Sequence, residues 1–348
     1  MSDLKMKYGY NDISIVPARI SCINHRSEVN PYYSNNNKLP IFTAPMSSII
    51  TQKSIDNYSK INVVIPRSFS LEHRIQLSYI IFCSFSMLEI EDIIKKLPWN
   101  QCSKVYICID VANGHMEKLY DLVRAFKYFY PNSVVMTGNI ANPETLKMVA
   151  ESGVNYIRVG IGSGSGCITS SNTAIHYPMA SLVKECSMYL DDYKWNVKRT
   201  NLKIIADGGI RNYNDVIKAL ALGADYVMIG GLFAKCMNSN EDLYIKSDGN
   251  YVRANKEDLQ KSDIQLYHKF YGMASKEGMN DLHLEKHTAE GICKYIPIKY
   301  DSINQWSKNM ADYLRSAMSY CNAKTLDEFI GKQKYILLSD NAQNAINK

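Results

Sequence analysis

The sequence has no apolar stretch approaching the roughly 18 residues that a membrane-spanning helix requires, and no export leader pattern at its start. No membrane partner is expected. Runs of like charge are missing too: the net charge of +6 is spread over 348 residues, which argues against a basic arm for nucleic acid. A mildly basic surface still favours a small molecule that carries phosphate. The nine cysteines, at 22, 83, 102, 108, 167, 186, 236, 293 and 321, form no CxxC pair and no regular framework, so neither a zinc site nor a disulfide scaffold is indicated. A reduced, cytoplasmic setting is the expectation. The 25 tyrosines are many for this length and read as a compositional bias, some of them available to a subunit interface.

What the chain does contain is a glycine-rich loop around one cysteine. Residues 156–171 open as an apolar, strand-like run and pass into a loop with glycine at 160, 162, 164 and 166, ending at Cys167. Such a backbone takes unusual dihedrals, approaches a ligand closely, and can aim amides at an anion or carbonyls at a cation. A thiol held among backbone dipoles can act as a nucleophile, whereas one in an apolar core is inert. Taken alone, the loop fits a tight turn with a packed cysteine equally well.

Eight short apolar runs recur along the chain: 40–45, 61–66, 78–83, 105–110, 134–138, 156–160, 203–207 and 226–230. Helical or loop material separates them, including a segment from Pro143 that stops at Gly153 and one from Asn214 that stops at Gly223. This alternation predicts an α/β fold, a single parallel (β/α)₈ TIM barrel spanning residues 1–348. In such barrels the chemistry sits at the carboxyl ends of the strands. The loops beginning at Asp110, Gly138, Gly160, Asp207 and Gly230 should therefore converge on one mouth. Residues 232–300 are polar and read as a mobile lid inserted after the last strand, and 303–331 read as closing helices.

The stretches Tyr10-Asn-Asp-Ile-Ser-Ile-Val-Pro, Leu39-Pro-Ile-Phe-Thr-Ala-Pro-Met, Ile109-Asp-Val-Ala-Asn-Gly-His, Gly138-Asn139, the Cys167 loop, Ala206-Asp-Gly-Gly-Ile, Met228-Ile-Gly-Gly, Tyr271-Gly-Met, Ala289-Glu-Gly and Leu314-Arg-Ser-Ala-Met-Ser-Tyr are specific in their order and spacing. Through them the chain resembles the IMP dehydrogenase and GMP reductase family over nearly its full length. The resemblance implies a barrel that binds GMP or IMP, with Cys167 attacking carbon 2 of the purine to form a covalent intermediate. It implies that Thr169 assists proton transfer there, and that the carbonyls of Gly162, Gly164 and Cys167 hold a monovalent cation such as potassium (K+). Ser165 and the amides of Gly209, Gly230 and Gly231 would grip the phosphate, Asp207 would accept from the ribose hydroxyls, Met273 with its neighbours Gly272 and Ala274 would contact the base, and Gly208 and Gly291 would join the substrate site. Arg67, Asp110, Val111, Ala112, Asn113 and His287 would line the cofactor side, and a homotetramer is implied. The plainer reading of the glycines is turn chemistry, and of Asp207 a helix or loop cap.

Two family members run this intermediate in opposite directions. The reductase expels ammonia from GMP and reduces the adduct with NADPH to IMP, which requires an acid for the departing amine. Glu290, in Ala289-Glu290-Gly291, matches that acid. The dehydrogenase oxidises IMP with NAD and hydrolyses the adduct to XMP, using an arginine-tyrosine pair on a flap. No such pair lies between Leu232 and Lys299, and Phe270-Tyr-Gly-Met is closer to the reductase pattern. The stretch between Ile65 and Val105 is also too short for the dehydrogenase's regulatory module. Several positions depart from the family: Arg67 stands for a lysine, Ser170 and His287 for arginines, Ile292 for a lysine and Ser47 for an aspartate. The expected activity is GMP reductase. The alternatives are an IMP dehydrogenase with an atypical flap, and a catalytically weak nucleotide-binding relative.

Overall fold

A computed structural model describes residues 5–192, 202–261, 263–282 and 288–346. Eight parallel strands form its centre: β1 (Ile41–Thr43), β2 (Val64–Ile65), β3 (Phe82–Phe85), β4 (Tyr106–Asp110), β5 (Val134–Ile140), β6 (Tyr156–Val159), β7 (Lys203–Asp207) and β8 (Tyr226–Ile229). Hydrogen-bonded neighbours run β1-β8-β7-β6-β5-β4-β3-β2. At the remaining seam the Asn62 N–H donates to Ile41 O and its carbonyl accepts from Thr43 N, both at 2.9 Å. The sheet is thus a nearly closed α/β barrel, as the alternation of runs predicts. One run is displaced: Ser78 caps the carboxyl end of the preceding helix, so the third strand begins at Phe82 rather than at 78.

Helices α1 (Leu71–Leu77), α2 (Met87–Lys96), α3 (Glu117–Phe129), α4 (Leu146–Glu151), α5 (Thr169–Thr173), α6 (Met179–Asp191) and α7 (Tyr213–Leu222) connect the strands. Their ends follow side-chain chemistry. Ser86 and Glu89 form a reciprocal capping box on α2, Asn212 caps α7, and Gly223 closes it in a left-handed conformation. The amino-terminal ends of the strands are plugged by aromatic rings. Phe42, Phe82, Tyr106, Tyr156 and Tyr226 meet edge-on or tilted, with ring centroids between 4.9 and 5.9 Å apart. Part of the tyrosine excess is therefore core packing.

The polar stretch after β8 is not simply a loop. It folds into a four-stranded antiparallel sheet of β9 (Leu243–Ser247), β10 (Asn250–Arg253), β11 (Tyr267–Tyr271) and β12 (Cys293–Pro297), in the order β10-β9-β11-β12. The sheet stays hidden in composition because its faces alternate: His268 and Phe270 are buried while Tyr267, Lys269 and Tyr271 face the other way. Helix α8 (Lys276–Asp281) belongs to the same lid. Then α9 (Ile303–Tyr320) and α10 (Leu326–Phe329) pack on the barrel, and the last described element is α11 (Asp340–Ile346). Strand Tyr335–Leu337 pairs antiparallel with Ile13–Ile15, tying the two ends of the chain together. No described helix is long and apolar enough to cross a membrane.

Candidate active site

The carboxyl ends of β4, β5, β6 and β7 bring together the groups the motifs single out. Cys167 is partly exposed at the end of the glycine loop. Its Sγ lies 3.2 Å from Thr169 Oγ1, and the Thr169 hydroxyl lies 2.8 Å from Glu290 Oε2. Thiol, hydroxyl and carboxylate thus form one continuous run. Backbone bonds fasten this run from both sides: Ile168 N donates to Glu290 O and Ile292 N to Gly166 O, each at 2.9 Å, while Glu290 N donates to Ala274 O at 3.1 Å. Cys167 and Gly291 pair as an antiparallel bridge between loop and lid.

A second cluster sits deeper in the mouth. Arg158 on β6 is 8% exposed and lies between two carboxylates, with Nη1 2.5 Å from Asp110 Oδ1 and Nε 2.9 Å from Asp207 Oδ2. Asn139 Nδ2 adds donors to Asp207 Oδ2 and to Gly160 O, both at 2.8 Å. Burial on its own would lower the Arg158 pKa, but Asp110 and Asp207 together hold it above the ordinary arginine value. The chain can approach this closely only because residue 138 is glycine: a Cβ there would lie 2.6 Å from the Arg158 carbonyl oxygen, at a φ of +139°. Sequence reading passes over Arg158, which sits inside an apolar run. An arginine inside an apolar strand run, in a chain where two other such runs end in aspartate, is the signal that could have found it.

The remaining candidates divide. Ser165 and Gly231 adjoin, but the Gly209 N–H donates to Ser163 O at 2.9 Å and is not free for a phosphate in this arrangement. Gly208 packs against Ser163, and Gly230 against Met46 and Phe270. Gly272, Met273 and Ala274 form the turn from β11 into α8, beside Gly291. There Ser47 reaches a carboxylate after all: its Oγ is 2.5 Å from Asp281 Oδ2, which also accepts from the Tyr271 hydroxyl at 2.8 Å. Arg67 Nε is 3.5 Å from Glu89 Oε2 and is otherwise buried without a hydrogen bond. Val111 bonds back to β5 through Gly138 O and Asn139 N, Asn113 Oδ1 accepts from His115 N, and Ala112 is exposed between them. His287 lies outside the described residues.

Among the described residues no three histidine, cysteine or acidic side chains cluster as a metal site. The carbonyls of Gly162 and Gly164 accept from the Ser170 hydroxyl and from Cys167 N, each at 3.0 Å. Each carbonyl oxygen keeps a second lone pair.

Comparison with known proteins follows the same lines. The model of the IMP dehydrogenase / GMP reductase domain matches residues 101–346. A GMP reductase of Caenorhabditis elegans is 30% identical over 352 aligned residues, covering 95% of this chain and 91% of that protein. One from Oceanobacillus iheyensis is 30% identical and covers 97% of each. The GMP reductase of Onchocerca volvulus is 29% identical, over 95% of this chain and 90% of its own. The chain belongs to the IMP dehydrogenase / GMP reductase family.

Proposed function

We propose that this protein is a GMP reductase, converting GMP to IMP and ammonia with NADPH. The observation that carries the reading is the run from Cys167 through Thr169 to Glu290, which links a nucleophile to an acid through one hydroxyl. The Cys167 sulfur bonds to carbon 2 of the guanine, and the carbon–nitrogen bond to the 2-amino group breaks. Glu290, acting through Thr169, places a proton on the departing nitrogen so that it leaves as ammonia. When bound, the reduced nicotinamide supplies a hydride to carbon 2, and the thiolate then departs. Asp207 has Oδ1 without a protein hydrogen bond among the described residues, and this oxygen accepts from a ribose hydroxyl. Asp110, Val111, Ala112 and Asn113 face the nicotinamide side, and Arg67, ion-paired with Glu89, adds positive charge there. A potassium ion on the carbonyls of Gly162, Gly164 and Cys167 would add to the hydrogen bonds that already shape the loop.

The test is loss of nicotinamide absorbance with GMP and NADPH, run beside IMP with NAD. Cys167→Ala should abolish turnover while GMP binding stays measurable. Undiminished turnover in that variant rules out the covalent route, and activity confined to IMP with NAD reverses the assigned direction.

A further inference from the structure

The inner face of the lid sheet carries a lysine where strand alternation calls for an apolar side chain. Lys294 on β12 lies directly across from Phe270 on β11, and the buried His268 and Ile296 share that face. Its ammonium donates to Ser165 O at 2.6 Å and lies 5.7 Å from the centroid of the Phe270 ring. The tip of that ring rests on the turn after β8: a Cβ built on Gly230 or Gly231 would lie 3.6 or 3.7 Å from Phe270 Cζ. On Gly231 it would also lie 2.6 Å from Ser165 Oγ. Lys294 therefore stands against the wall that Ser165 and the Gly230-Gly231 turn build.

A second ammonium backs the first. Lys235 ends the 3-10 turn Phe233–Lys235, just past Gly231. Burial lowers its pKa, and repulsion from Lys299 and Lys294 lowers it further; burial also lowers that of Lys294. Lys269, on the outward face, pairs with Glu277. Neither Lys235 nor Lys294 meets a carboxylate among the described residues. Two half-buried ammonium groups near one another without a counter-charge are unfavourable unless an anion joins them.

We propose that Lys294, reinforced by Lys235, binds the phosphate of the nucleoside monophosphate. The proposal rests on the GMP reductase reading and adds to it the formal positive charge that a cradle of amides and one hydroxyl lacks. It also answers the engagement of the Gly209 N–H with Ser163 O.

The experiment is calorimetric titration of the full chain with GMP, IMP and guanosine, for wild type, Lys294→Gln and Lys294→Arg. Glutamine can still donate to Ser165 O, so this variant removes the charge and keeps a donor. GMP affinity should fall at least about tenfold in Lys294→Gln, remain within a few-fold in Lys294→Arg, and lose part of its salt dependence in the former. Guanosine binding should not change. Equal GMP affinity in wild type and Lys294→Gln overturns the phosphate role while leaving the reductase reading intact, and so does an equal loss of GMP and guanosine binding. Wild-type protein that binds neither GMP nor IMP removes the reductase reading and this proposal with it.

Discussion

Thr169 and Glu290 stand 121 positions apart, yet their side-chain oxygens are 2.8 Å from each other. A carboxylic acid at that distance can deliver a proton through the hydroxyl, whereas an amide cannot. Glu290→Gln should therefore slow deamination of GMP about 10²-fold or more, and slow hydride transfer between IMP and NADP much less. Rapid-mixing kinetics separate the two steps, and equal losses in both would remove Glu290 from the acid's role. Cys167, Thr169 and Glu290 are legible in the sequence because each sits in a short motif. Arg158, Asp281 and Lys294 are not, because their meaning depends on partners from other elements. Arg158 needs the ends of β4 and β7, and Asp281 needs Ser47 from the loop after β1.

Among elements, the contact that matters most is the two-strand bridge between the Cys167 loop and the segment from Ala289 to Ile292. Proline at 292 would delete the N–H that donates to Gly166 O. We expect Ile292→Pro to lower turnover about 10- to 100-fold by misplacing Glu290, since displacements near 1 Å cost that much. The melting temperature should shift only a few degrees, because the lid lies outside the barrel core. Thermal melts and steady-state assays on one preparation check both halves, and full turnover would show that the bridge does not position the acid. The lid sheet escaped sequence reading for a related reason. Strands such as Tyr267-His-Lys-Phe-Tyr have one buried face only, and their polar residues give the impression of loop.

For the molecule as a whole, the eight strands were legible as short apolar runs because parallel strands covered by helices are buried on both faces. The closure was not. It rests on a single asparagine between β1 and β2, with the aromatic plug beneath the mouth, while Ile13–Ile15 and Tyr335–Leu337 join the chain ends in a separate two-stranded sheet. None of these has a local signature, since each joins distant parts of the chain.

The placement of Arg158 has a thermodynamic corollary. Its guanidinium divides between Asp207 and Asp110, the residues proposed above to meet the ribose and the nicotinamide. A ribose hydroxyl that takes up part of Asp207 changes how strongly the guanidinium holds Asp110, and the reverse follows. Nucleotide and dinucleotide should then alter each other's affinity by one and the same factor, in whichever order they bind. A lysine lacks the planar fork that holds both carboxylates in a fixed geometry. In Arg158→Lys that shared factor should move towards one, as read from IMP titrations with and without NADP. A factor that survives the substitution would place the linkage elsewhere in the mouth.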